Sequence, residues 1–185
     1  KIIFDVKCSS LLPKFISDNG GEPIMSRTGH SFIKQKLKET KAELAGEMSG
    51  HIFFKERWYG FDDALYTGAR LLEIISKSNK SCFEIFDEMP ANLSTPEINI
   101  NFEKHGQQFE AMNKLSADIN FPNATIITID GVRVDYENCW GLVRASNTTP
   151  CLVLRFEAND NESLNEIKIK FAEWLKSNGI SADSL

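Results

Sequence analysis

Met89-Pro90-Ala91-Asn92-Leu93-Ser94-Thr95-Pro96, with Ser78-Asn79-Lys80-Ser81 shortly before it, is the stretch that decides how this chain is organised. Two prolines and a run of small polar residues break the apolar periodicity on either side, which is linker composition. Upstream, strand and helix alternate. Ile2 to Val6 is apolar enough for a buried strand, and Leu11, Leu12, Phe15 and Ile16 recur at helical spacing until Gly20-Gly21 stops them. Thr28 reads as the N-cap of a helix carrying Phe32, Ile33 and Leu37, and Ile52-Phe53-Phe54 reads as a strand. Asp62 or Asp63 can cap a third helix, whose Leu65, Gly68, Leu72 and Ile75 form one stripe.

Downstream the rhythm changes. A strand over Glu97–Phe102 precedes a helix with Phe109, Met112, Leu115 and Ile119 inward. Ala124–Ile129 and Val132–Tyr136 flank Asp130-Gly131, a strong hairpin signal. Trp140–Arg144 and Cys151–Phe156 are further strands around a polar loop, and a last helix aligns Leu164, Ile167, Phe171, Trp174 and Leu175 before Gly179. The expected architecture is an incomplete α/β domain over residues 1–88, a mixed sheet with helices, followed by an α+β domain over 97–185, one antiparallel sheet packed with two helices.

Composition narrows the function. The 185 residues carry 21 Lys and Arg against 26 Asp and Glu, a net charge of −5, with 42% hydrophobic residues. That balance excludes disorder and disfavours a general nucleic-acid or anionic-membrane binder, since neutralising phosphates takes a basic surplus. No run approaches the roughly 20 apolar residues of a membrane span. Cys8, Cys82, Cys139 and Cys151 are scattered, with no CxxC pair and no zinc spacing, so they are expected as four buried thiols in a cytoplasmic protein with no metal site of its own. The sequence runs from Lys1 straight into an apolar strand, and is expected to be part of a longer polypeptide.

Two polar loops carry chemistry. Gly46-Glu47-Met48-Ser49-Gly50-His51 sets a carboxylate, a hydroxyl and an imidazole between glycines that allow tight turning. A carboxylate accepts sugar hydroxyls and a histidine shuttles protons; the plainer reading is a surface turn with a capping glutamate. Arg144-Ala145-Ser146-Asn147-Thr148-Thr149-Pro150 gathers a guanidinium, hydroxyls and an amide with no acidic residue in the loop. That is the chemistry of an anion cradle at an exposed strand end, or else of an ordinary hydrophilic hairpin. Arg27-Thr28-Gly29-His30 at a helix start, and Lys7 after the first strand, are weaker candidates. His105 has no polar company and reads as surface.

Taken together, Asp5-Val6-Lys7-Cys8-Ser9, Arg27 through Lys34, and Gly46 through Asp63 resemble the third domain of bacterial phosphomannomutase/phosphoglucomutase enzymes. Asp130-Gly131-Val132-Arg133 and Trp140 through Pro150 resemble the fourth domain of the same α-D-phosphohexomutase family. The resemblance implies four domains around one cleft, with a phosphoserine loop and a magnesium loop in the first two. Neither the Thr-Ala-Ser-His-Asn-Pro type loop nor the Asp-Gly-Asp-Gly-Asp loop occurs here, so magnesium would have its ligands outside this chain. By resemblance, Glu47 and Ser49 bind the sugar's 3- and 4-hydroxyls, and Arg144, Ser146, Asn147, Thr148 and Thr149 hold the non-reacting phosphate. Lys7, His30 and His51 line the cleft, His30 toward phosphate, with Lys7 and His51 as the candidates for proton transfer.

The implied function is the recognition part of a hexose phosphomutase working through a hexose 1,6-bisphosphate. The implied partners are a phosphosugar and the missing first two domains, on which a monomer docks. The rival reading is a non-catalytic sugar-phosphate or anion-binding module. Met48 fits enzymes accepting mannose or glucose, where phosphoglucosamine mutases tend to carry Gln. One departure is Cys139, where the family often has Gly; Asn138 before it is able to supply the left-handed conformation.

Overall fold

The computed structural model describes residues 1–185 as two compact units, Lys1–Ala91 and Asn92–Leu185. In the first, β1 (Ile2–Asp5), β2 (Pro23–Ser26), β3 (Leu44–Gly46), β4 (Ile52–Phe54) and β5 (Phe61–Asp62) form a sheet in the order β2-β1-β3-β4-β5. β1 runs parallel to β2 and β3, while β4 is antiparallel to β3 and β5 to β4, so the sheet is mixed. The helices are α1 (Leu11–Asp18), α2 (His30–Thr40), α3 (Ala64–Lys77) and α4 (Cys82–Asp87).

The core of this unit follows from the strand period. Ile3, Ala45 and Phe53 pack with Ile33 and Leu37 of α2, while Phe4, Cys8 and Ile16 pack against the other face with Met48 beside them. Each fully buried side chain of this size is worth about 1.5–3 kcal/mol. The α3 stripe is a correction: that helix has no buried residue, and Leu65 and Leu72 are exposed. Asp63, not Asp62, caps it by accepting from Tyr66 N at 2.9 Å. Gly29, not Thr28, is the N-cap of α2; its φ of +127° is a conformation only glycine adopts easily. The expected linker also holds more structure than its composition implies. Ser81 and Glu84 form a capping box that starts α4, and β6 (Leu93–Ser94) pairs with a later strand.

The second unit is antiparallel throughout. β7 is Ile98–Asn101, α5 Gln107–Ala117, β8 Thr125–Ile127, β9 Val132–Asp135, β10 Cys139–Ala145, β11 Cys151–Ala158 and α6 Asn161–Ser177. The sheet order is β6-β11-β10-β9-β8, with β7 also on β11. Ile167, Phe171, Trp174 and Leu175 of α6 and Met112 and Leu115 of α5 cover one face over Val134, Val143, Leu154 and Phe156. Phe109, expected inward, lies 39% exposed, because the buried stripe of α5 runs through Gln108, Ala111, Met112 and Leu115.

Gly131 turns the β8–β9 connection at φ +80°, where a Cβ would stand 2.2 Å from Val143 O. Asn138 is not left-handed; the β9–β10 turn closes without it, and Cys139 begins β10 as a buried residue. Burial pushes the Cys139 thiol up. Cys8, Cys139 and Cys151 are buried free thiols, whereas Cys82 is exposed, which corrects the expectation of four buried ones. No helix is long and apolar enough to cross a membrane.

Candidate functional site

The parallel strands set the first site. β1, β2 and β3 end at Asp5, Ser26 and Gly46, so Lys7, the Arg27–His30 turn and the Glu47–His51 loop all leave the carboxyl edge of the sheet. That edge is where open α/β sheets bind ligands.

Asp5 organises it. This fully buried carboxylate accepts from Lys7 N and Cys8 Sγ at 3.2 Å, from Met48 N at 3.4 Å and from Thr28 Oγ1 at 3.2 Å, while Lys7 Nζ stands 3.9 Å away. One group thereby ties three loops together. Glu47 is itself buried and accepts from Gly29 N, so its carboxylate satisfies a backbone donor at the start of α2. The capping reading of Glu47 is thus realised in space, across the sheet. Met48 packs inward on the Phe4 cluster, and Ser49 lies exposed at the loop tip.

The histidines meet through the β4–β5 hairpin. Asp62 pairs with Phe53, and His51 is two residues before Phe53, so the two side chains share one face of the strands. His51 Nδ1 and Asp62 Oδ2 stand 2.8 Å apart, with His30 Nε2 3.6 Å from the same oxygen. The His30 and His51 rings are edge-on with centroids 4.3 Å apart, and His30 also rests on Phe53. Arg27, a weak phosphate candidate, lays its guanidinium over Phe32 at 4.2 Å.

The frame behind the loop is ionic. Arg57 forks onto Glu73 at 3.2 and 3.0 Å, and Arg70 bridges Glu56 and Glu73 above the Phe54 ring. Hydrogen bonding from Arg57, then Lys77, holds the Glu73 carboxyl down at about 2.

His30, Glu47 and His51 place one ligand atom each within 4.8 Å of one another. The carboxylate is already held by Gly29 N, and an imidazole-rich set does not suit magnesium, which takes oxygen ligands and water.

In the second unit, Ser146 is the hub of the polar loop. Its Oγ accepts from Thr148 N and Thr149 N at 3.3 and 3.2 Å, and lies 2.8 Å from Thr149 Oγ1. Asn147, Thr148 and Thr149 are exposed. Gln108 of α5, fully buried, braces the loop by donating to Ser146 O and Thr149 O at 3.3 and 3.4 Å. Arg144 differs from expectation. It is 6% exposed, and its Nε donates to Asp130 Oδ2 at 2.9 Å, so an acid absent from the loop is supplied by the neighbouring hairpin. The sequence singles out none of Asp5, Asp62, Gln108 and Asp130 as a site residue, although Asp62 stands there as a candidate cap and Asp130 in a turn signal.

Residues 1–93 match the family described as phosphoglucomutase/phosphomannomutase, alpha/beta/alpha domain III, and residues 97–173 match its C-terminal domain. The chain belongs to the phosphoglucomutase/phosphomannomutase family, and its two units carry that family's third and fourth domain folds. Among similar proteins, a phosphomannomutase/phosphoglucomutase of Pseudomonas aeruginosa is 55% identical over 175 residues, covering 95% of this chain and 38% of the relative. A phosphoglucomutase of Neisseria gonorrhoeae is 52% identical over 96% of this chain and 39% of its own length. The crystal structure of a Burkholderia thailandensis phosphoglucomutase/phosphomannomutase family protein is 49% identical with a TM-score of 0.89, over 96% of this chain and 37% of that one. The chain therefore spans about 38% of the length of the curated relatives it matches.

Proposed function

We propose that this chain is the substrate-recognition part of a phosphomannomutase/phosphoglucomutase. The complete enzyme would interconvert hexose 6-phosphate and hexose 1-phosphate through a hexose 1,6-bisphosphate. In that reaction an enzyme phosphoserine gives its phosphoryl group to the free sugar hydroxyl, and the sugar's other phosphoryl group returns to the serine. Magnesium, which would neutralise charge on the moving phosphoryl group, has no fitting ligand set here, so its site would be supplied elsewhere in the enzyme.

The first unit recognises the sugar. Glu47 and Ser49 take the 3- and 4-hydroxyls, Glu47 through the carboxylate oxygen that does not accept from Gly29 N. His51 or Lys7 carries the hydroxyl proton, and His30 borders the phosphate. In the second unit Arg144, Ser146, Asn147, Thr148 and Thr149 hold the phosphate that does not react. A loop of donors without a nucleophile binds that group and leaves it intact.

The observation that carries this reading is the convergence of Glu47, His30 and His51 at the carboxyl edge of the sheet. Glu47→Gln in the complete enzyme tests it. A hydrogen bond to a charged group is worth about 1.5–3 kcal/mol, so kcat/KM should fall by about one to two decades with the fold retained. Unchanged kinetics would refute the sugar-binding role.

A further inference from the structure

The geometry points to Asp62 as a positioning residue that fixes the tautomer of His51 and aims its free nitrogen at the sugar. The β4–β5 hairpin brings the two residues together. Pairing of Phe53 with Asp62 returns the chain so that Asp62 stands diagonally across from His51 on the same face. Oδ2 of Asp62 and Nδ1 of His51 are 2.8 Å apart. An ionised carboxylate only accepts, so the proton of a neutral His51 ring must sit on Nδ1. Nε2 is then the unprotonated nitrogen, the one able to accept a proton.

Asp62 has no competing structural duty at the helix beside it. Asp63 is the cap of α3, accepting from Tyr66 N at 2.9 Å, and also accepts from Trp58 Nε1 at 3.2 Å. Two adjacent acids have divided the work, one on the helix and one on the imidazole. His30 stacks edge-on against His51 and its Nε2 lies 3.6 Å from the same Asp62 oxygen, which limits how the His51 ring can rotate.

This inference rests on the reading of His51 as the proton carrier. As a sugar hydroxyl oxygen bonds to phosphorus, the bond from phosphorus to the enzyme's serine oxygen breaks, that oxygen leaving with the electron pair, while the hydroxyl O–H bond breaks and its proton passes to Nε2. The imidazolium so formed lies against the Asp62 carboxylate, and in the reverse direction the same proton returns to the hydroxyl oxygen. A carboxylate in this position both orients the ring and stabilises its charged form, as in Ser-His-Asp triads.

Nitrogen-15 NMR of this chain reads the tautomer directly, since protonated and bare imidazole nitrogens resonate apart. The expected result is Nδ1–H with bare Nε2 in the parent chain, and a shift toward Nε2–H in both Asp62→Asn and Asp62→Ala. An Nε2–H tautomer in the parent chain, or populations unmoved in Asp62→Ala, would overturn the assignment; the parent measurement needs no variant to fold. In the complete enzyme, Asp62→Asn should lower kcat by about 10²- to 10⁴-fold with KM little changed, and Asp62→Glu should restore part of it. If Glu47→Gln impairs the enzyme while Asp62→Asn does not, this inference alone fails. If the complete enzyme has no mutase activity, the proposed function fails and the tautomer result still stands or falls by itself.

Discussion

Arg144 Nε donates to Asp130 Oδ2 at 2.9 Å, and both side chains are more than nine-tenths buried. The guanidinium that would hold the phosphate is thus already fixed by a carboxylate from the Asp130-Gly131 hairpin. Anchoring of this kind would keep the planar fork from wandering before a ligand arrives, and it gives Arg144 a structural role beside the proposed phosphate-binding one.

Removing Arg144 takes the ion-pair partner from a buried carboxylate. Arg144→Ala should therefore destabilise the second unit by about 3–5 kcal/mol, measured by urea unfolding. Arg144→Lys should weaken phosphate binding and also lower the melting temperature, where an exposed residue would show only the first effect.

The contact of Glu47 with Gly29 N and its proposed sugar binding separate by substitution. Glu47→Gln keeps an acceptor for Gly29 N and should unfold at nearly the parent temperature while losing about tenfold or more in sugar-phosphate affinity. Glu47→Ala should lose the affinity and in addition about 0.5–2 kcal/mol of stability, the range for a lost helix cap. Calorimetry of the three chains distinguishes the roles.

Gly131→Ala should lower the melting temperature sharply. The left-handed backbone alone costs a non-glycine residue about 1–2 kcal/mol, and the new Cβ would meet Val143 O at 2.2 Å, so backbone must shift. Because Asp130 precedes it, phosphate binding at the Arg144 loop should weaken as well.

Acid should loosen the first unit in a defined window. Glu73, held at about 2 by Arg57 and Lys77 against an ordinary 4.5, contributes stability that is fully present above about pH 4.5. As pH falls toward about 2 the carboxylate takes up a proton and that stability is lost. Glu73→Gln should remove this part of the acid dependence, read from unfolding midpoints between those limits; the pair is exposed, so the effect is small.

Much of the architecture was legible in sequence because it rests on local signals. The Asp130-Gly131 turn, a cap at Asp62 or Asp63, and the α6 stripe through Ile167, Phe171 and Trp174 each declare themselves within a few residues. What failed to show depends on who sits across the sheet. Leu65 and Leu72 make a good helical stripe, yet no stripe says whether anything covers it. The polar loops were visible as loops, but their supports were not. Asp5, Asp62, Gln108 and Asp130 lie 43, 11, 38 and 14 residues from the groups they hold, and only strand register or helix placement brings them there.

In the proposed function the Gly46–Ser49 loop takes a sugar and the Ser146–Thr149 loop a phosphate, and titration of the isotopically labelled chain with mannose 1-phosphate decides whether they do. The account predicts amide shift changes at Gly46–Ser49 in the first unit and at Ser146–Thr149 in the second. Inorganic phosphate should reproduce only the second set, and methyl mannoside only the first. Changes confined to other regions, or none up to the solubility of the ligand, would contradict it.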